Sequence, residues 1–351
     1  MKKIKNSILY VLAIGVTFAA IYLVLDKYVI RLGEFFQYIL IILAVSYIYI
    51  FVHECIHLLI AYMFDMKIVF LKFFNLMFLF DGKTVKKYKD KDFNGAGNSL
   101  AFPTWRNTSK QWLVYLIVPY IFTFIATGML FFTNMNYTCD NIVFNCMVYM
   151  GIFYCLWCII PIKGSDLYYA WIYILKRSQF DAIYNTLVLN YALIYSDMNY
   201  EKYFMMKIPN LRLESEVMQD WLFSSLKYDI DLILMGKYRE SKNMKAFYGD
   251  SFVYFSLGCK IVYAIYVYFL TGNDEVWRNN IQDVKEPYMY EYCFGRLLIE
   301  SDVDINLMID QFDNEIHKYE NIGIKDAYKL EKELYTAMVR RTITKNRKER
   351  I

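Results

Sequence analysis

Proline and glycine are scarce, with 5 and 14 copies in 351 residues, which argues against long low-complexity linkers. Histidine is scarcer still, with 3 copies, so imidazole chemistry has few carriers. Charge is nearly balanced: 39 basic against 35 acidic residues leave +4, too little to argue for a nucleic-acid partner. The 7 cysteines are odd in number, and Cys55, Cys146, Cys155 and Cys158 lie within apolar segments. They read as small packing residues rather than a disulfide framework. What is abundant is apolar surface. The chain is 57% hydrophobic and 19% aromatic, above the roughly 45–50% apolar share of a soluble domain, and it reads as an integral membrane protein.

Apolar runs near or above the ~20 residues needed to cross a hydrocarbon core lie at about 8–25, 35–64, 112–132 and 142–162, and "DLYYAWIYIL" (166–175) prolongs the last. The basic start "MKKIKN" followed by an apolar run has the outline of a secretory signal. The run is long, however, and "TFAAIYL" lacks a small-x-small cleavage site, so an uncleaved anchor is expected. Loop charges orient the spans. Residues 1–7 carry 3 Lys and residues 65–111 carry 9 Lys and Arg against 4 Asp, whereas 26–34 balances 2 against 2 and 133–141 has 1 Asp and no basic residue. The positive-inside rule then predicts four crossings with both termini cytoplasmic.

A change of character near residue 177 predicts two domains, a membrane domain over 1–177 and a helical cytoplasmic domain over 178–351. The second part alternates charged and aromatic-rich helical patterns such as "SEVMQDWLFSSLKYDIDLILM". Stacked helix pairs of the tetratricopeptide type would fit, although no strict repeat period is visible. Within it, 251–272 is nearly long enough for a fifth span, but Lys260 at its middle favours a buried helix. The tail "RRTITKNRKER" reads as a solvated cytosolic end.

The stretch "YIFVHECIHLLIAYMF" (49–64) places two histidines and a glutamate inside a membrane-length apolar run. An ionised side chain at the centre of a membrane helix costs about 2.5–3.5 kcal/mol on insertion scales, so such residues point to function. His53 and His57, four apart, project from one helix face about 6 Å from each other, which suits two imidazoles on one Zn²⁺. Glu54 lies one step round, in the general-base position of the HExxH arrangement. A catalytic zinc site usually takes three protein ligands, and His317 is far away in the chain. Asp166, the only acidic residue between Asp140 and Asp181, is the candidate third ligand. It follows "PIKGS", where Pro161 and Gly164 would interrupt the fourth span, and a helix N-cap is its alternative role. "CLWC" (155–158) has redox or metal spacing but reads as packing. The 90–111 stretch reads as a surface loop whose glycines could also serve a gate.

These motifs resemble those of the site-2 protease family of intramembrane zinc metalloproteases. That family pairs a membrane HExxH with a downstream Asn-x-x-Pro-x-x-x-x-Asp-Gly. Here Pro161 and Asp166 match, while Cys158 stands at the asparagine position and Leu167 at the glycine. Over about residues 35–175 the resemblance implies His53, His57 and Asp166 as zinc ligands and Glu54 as the base activating water. It also implies a substrate-binding role around Cys158 and Pro161, and a membrane-associated β-hairpin over "MKIVFLKFFNLMFLFDGKTVKKY" that can pair with an unwound substrate. β-Branched and aromatic residues and the "DG" turn support the hairpin from the sequence itself; an interfacial helix is the alternative. The expected activity is hydrolysis of a peptide bond in a membrane-embedded or membrane-inserting substrate, such as a regulator, a signal-peptide remnant or a small peptide precursor. The lipid bilayer is then the medium, and the C-terminal domain could bind a cytosolic partner. The alternative from another class is a non-proteolytic membrane adaptor with a structural metal site.

Overall fold

The structure, a computed structural model, describes residues 32–73, 76–81, 84–89, 97–137, 141–160, 165–195, 197, 199–237, 254–281 and 290–299. The expected span at 8–25, Pro161, Gly164, His317 and the basic tail lie outside the described residues, as does the side chain of Cys158. The chain forms two compact units, Met1–Phe180 and Asp181–Ile351.

The first unit contains α1 (Leu32–Met63), α2 (Ser109–Tyr137), α3 (Ile142–Ile159) and α4 (Asp166–Leu175). Two of these helices carry segments long and apolar enough to cross a membrane, Gln37–Met63 in α1 and Ser109–Met135 in α2. The first of these spans on the order of 40 Å at 1.5 Å per residue. Both leave apolar faces open, through Leu40, Ile48 and Leu59 on α1 and Ile125, Met129 and Phe132 on α2. Soluble monomers rarely show so much contiguous apolar surface. α3 is equally apolar, but its qualifying stretch, Ile142–Leu156, is shorter.

Local chemistry sets the helix ends. Past α1 the chain turns through Asp65 at φ 54°, with Met66 N–H donating to Ala61 O at 2.9 Å, a left-handed cap that satisfies a terminal carbonyl. Thr108 and Gln111 form a reciprocal capping box at the start of α2, at 2.8 and 3.3 Å. Pro119 within α2 removes one ladder donor. Asn141 Oδ1 accepts from Val143 N–H at 2.9 Å ahead of α3.

The three long helices meet through small and polar groups. The Tyr49 hydroxyl donates to Met147 O at 2.9 Å, and the Cys155 thiol reaches Thr127 Oγ1 at 3.7 Å. A methyl group at Gly151 would meet the Tyr49 hydroxyl and the Thr127 side chain. Glycine there lets backbones approach closely, as membrane helix interfaces do where lipid removes the usual hydrophobic drive.

Between α1 and α2 lies a four-stranded antiparallel sheet, β1 (Lys67–Phe73), β2 (Leu76–Asp81), β3 (Thr84–Lys89) and β4 (Gly97–Phe102), in spatial order β3-β2-β1-β4. The expected hairpin is thus part of a larger sheet. Asp81 pairs with Thr84, leaving 82–83 as the connection. The 97–102 part of the expected loop is instead an edge strand, because its backbone pairs with β1 from Lys67↔Phe102 to Phe73↔Gly97. The β1–β4 register shifts between Ile68 and Phe70, a bulge that leaves buried Val69 over. Phe73 packs edge-on against Tyr47 and Phe51 of α1, centroids 6.3 and 5.1 Å apart.

The second unit is helical among its described residues. α5 (Arg177–Tyr195) leads into it, followed by α6 (Tyr200–Phe204), α7 (Glu216–Leu234), α8 (Leu257–Thr271), α9 (Glu275–Asn280) and α10 (Tyr290–Ile299). Helix lengths of 5 to 19 residues set no fixed period among the described residues. α7 is the centre, buried almost continuously from Trp221 to Leu234. α8, the segment considered as a fifth span, has 15 residues, begins at the Ser256 cap and stops at Gly272 with φ 69°. It falls short of the ~20 residues a crossing needs and buries Ile261, Val262, Ile265 and Tyr266. Burial pushes the Cys259 thiol up to about 11, so it stays protonated at neutral pH and serves packing.

Candidate metal centre

Helical periodicity puts His53 and His57 on the inner side of α1, 3% and 2% exposed. Their Nε2 atoms are 3.2 Å apart. Asp166 arrives from the other end of the unit. Ser165 takes the cap of α4, its side chain accepting from Tyr168 N–H at 3.2 Å. Asp166 is therefore the first helical residue rather than the cap. Its carboxylate turns to His57 instead, with Oδ2 3.1 Å from Nε2.

One ligand atom each from His53, His57 and Asp166 lies within 4.8 Å of the others, so the group could hold a metal ion. The chemistry of the donor set fits one. A single proton on His57 Nε2 can serve one neighbour well, not both; a cation among the three atoms satisfies two imidazole lone pairs and a carboxylate together. Two nitrogens and one oxygen at this spacing suit the ~2.0–2.2 Å bonds of a tetrahedral ion with one position open.

The imidazoles are oriented by packing. The Nδ1 atoms of His53 and His57 are buried and find no hydrogen-bond partner among the described residues, although metal-bound histidines usually donate that N–H. Aromatic rings hold the pair in its place. Tyr120 and Tyr154 stand edge-on to His53, centroids 4.7 and 5.7 Å away, and Tyr115 tilts over His57 at 4.7 Å. The bend-prone Pro119 is the immediate neighbour of Tyr120.

Glu54 stands outside the ligand set. It points sideways, half-buried, and accepts from the Ser99 hydroxyl of β4 at 2.5 Å. A carboxylate beside a metal group but not in it is free to take a proton. Of the residues expected from the sequence, His53, His57, Asp166 and Glu54 are brought together. Pro161 and the side chain of Cys158 fall outside the described residues. Ser99, Tyr115, Tyr120 and Tyr154 were not anticipated. A hydroxyl in a glycine-rich stretch carries no motif, and three tyrosines among 34 give no signal until the helices are packed. Against family models, curated proteins and solved structures, the chain has no match.

Proposed function

We propose that this chain is an intramembrane zinc endopeptidase of the site-2 protease type, acting on a membrane-embedded or membrane-inserting peptide. The observation that carries the reading is the convergence of Asp166 on His53 and His57, which lie with Glu54 on a helix apolar enough to cross a membrane. Zinc, held by His53 Nε2, His57 Nε2 and an Asp166 oxygen, would supply the Lewis acidity that polarises a peptide carbonyl and makes water a nucleophile at neutral pH.

The chain's own residues do the rest. Glu54 removes the proton from the attacking water and returns it to the departing amine. Tyr115, Tyr120 and Tyr154 wall the centre and limit water to what the reaction uses. Among the described residues β4 has β1 as its one neighbour in the sheet, so its other edge can take an unwound substrate segment as an added strand. His57 is six residues from the end of α1 at Met63, on the order of 10 Å of helix. That depth supports cleavage toward the cytoplasmic side of the bilayer, in a multi-pass cell-membrane protein with cytoplasmic termini. Regulators, signal-peptide remnants and small peptide precursors are all substrates of this kind. The C-terminal helical unit would present the substrate or bind a cytosolic partner.

The test is hydrolysis of a model membrane peptide by the full chain and by Glu54→Gln. The glutamine keeps the shape and the zinc but not the base, so turnover should fall about 10²–10⁴-fold at unchanged zinc content. Equal turnover in the two proteins rules the reading out, and zinc without peptide hydrolysis in the wild type favours an adaptor with a structural metal.

A further inference from the structure

Glu54 is a carboxylate in an apolar helix, and such a group needs donors to remain where it is. Ser99 supplies one: its hydroxyl donates to Oε2 at 2.5 Å, which joins β4 to α1.

The loop that follows β4 is anchored just past the end of α1. Asn107 Nδ2 donates to Phe64 O at 2.6 Å, while its Oδ1 accepts from Thr104 N–H at 2.7 Å. The segment from Ser99 to Asn107 is therefore tied at one end to the helix that carries the base and at the other to the residue just after it. Phe102 and Thr104 in between are buried.

We propose that Ser99 is a positioning residue for Glu54, fixing the carboxylate beside the metal group through its hydroxyl. The inference rests on the assignment of Glu54 as the base. Ser99 touches neither metal ligand nor substrate; it sets where the proton is received. Because the side-chain bond goes to a charged acceptor, its loss frees Glu54 to adopt rotamers that face away from the reaction.

The experiment uses the full zinc-loaded chain in detergent with a model membrane peptide. Ser99→Ala should lower kcat about 10- to 100-fold, the usual cost of losing an orienting partner, with KM and zinc stoichiometry unchanged. Ser99→Thr keeps the hydroxyl and suits a strand, and should recover most of the loss. An unchanged kcat in Ser99→Ala, equal losses in Ala and Thr variants, or loss of zinc in Ser99→Ala would each overturn the proposal. A second readout needs no turnover. The infrared difference between wild type and Ser99→Ala should show a shifted carboxylate stretching band, absent when the same change is made on a Glu54→Gln background. No band, or a band that persists on that background, overturns the clamp. If the wild type hydrolyses no peptide, the function proposed above falls, and the infrared result still decides whether Ser99 holds Glu54.

Discussion

Two helices of this chain bury polar side chains, and they do so for opposite ends. α7 in the second unit buries Ser225, Lys227, Asp229 and Asp231, all at most 5% exposed. There Ser225 and Asp229, four apart, both meet the Tyr203 hydroxyl at 2.8 Å, so their shared point is filled by the protein itself. Asp229 accepts from Tyr203 at 2.8 Å, Ser224 donates to Asn190 at 2.8 Å, and Lys227 sits 4.1 Å over the Phe223 ring. α1 in the first unit buries His53 and His57 at a spacing of four, so that both aim at one point and meet Asp166 there. Converging polar groups whose meeting point holds a protein hydroxyl build a core; the donor atoms of His53, His57 and Asp166 face one another and could hold a metal ion. Spacing alone does not make the difference, since both helices align polar groups at i and i+4; what occupies the meeting point does.

The sharpest way to break this contrast is to remove one of the converging groups. His53→Ala and Asp166→Ala should each reduce bound zinc in the purified chain from about one per molecule to background, measured by elemental analysis. Zinc retained by Asp166→Ala alone would leave the histidines as a metal site and detach the third ligand.

Next in size is the packing that brings the helices to the site. Gly151→Ala should lower the thermal stability of the detergent-solubilised chain by about 1–3 kcal/mol, the usual cost of overfilling a packed interior. Adding Tyr49→Phe, which removes the hydroxyl the new methyl would meet, should restore part of it. On the α7 side, Tyr203→Phe deletes a hydrogen bond to a buried carboxylate and should cost about 1.5–3 kcal/mol with zinc content and hydrolysis unchanged. A loss of zinc there would mean that the two regions are not independent. The smallest effect is expected at the Arg106–Asp65 pair, 2.9 Å apart but 81% and 75% exposed. Arg106→Ala should change stability by less than about 0.5 kcal/mol, as read by thermal unfolding.

The most legible parts of the sequence were those whose geometry is local. His53, Glu54 and His57 declare their mutual placement through helical periodicity alone. Asp166 could be nominated because it was the sole acidic residue in its stretch, although its cap role was settled only when Ser165 proved to hold that position. β1 and β2 carry β-branched and aromatic residues and read as strands. β4 does not: "GNSLAF" follows a glycine-rich run and has little strand propensity, and pairing with β1 decides its conformation. Ser99 was hidden for that reason. α3 was expected to continue to residue 162, yet it ends at Ile159, where the chain approaches Pro161.

The bulge at Val69 acts as a spacer in a measured path. β1 leaves directly from the end of α1, and β4 is aligned on β1, so the number of residues between Met63 and Phe70 sets how far along α1 Ser99 arrives. Removing Val69 would shorten that path by ~3.3 Å, one strand residue. Ser99 would then be drawn past Glu54, and Asn98 or Leu100, facing the other side of the sheet, would stand nearer to it. A length change that leaves His53, Glu54, His57 and Asp166 untouched would still shift the partner that Glu54 meets.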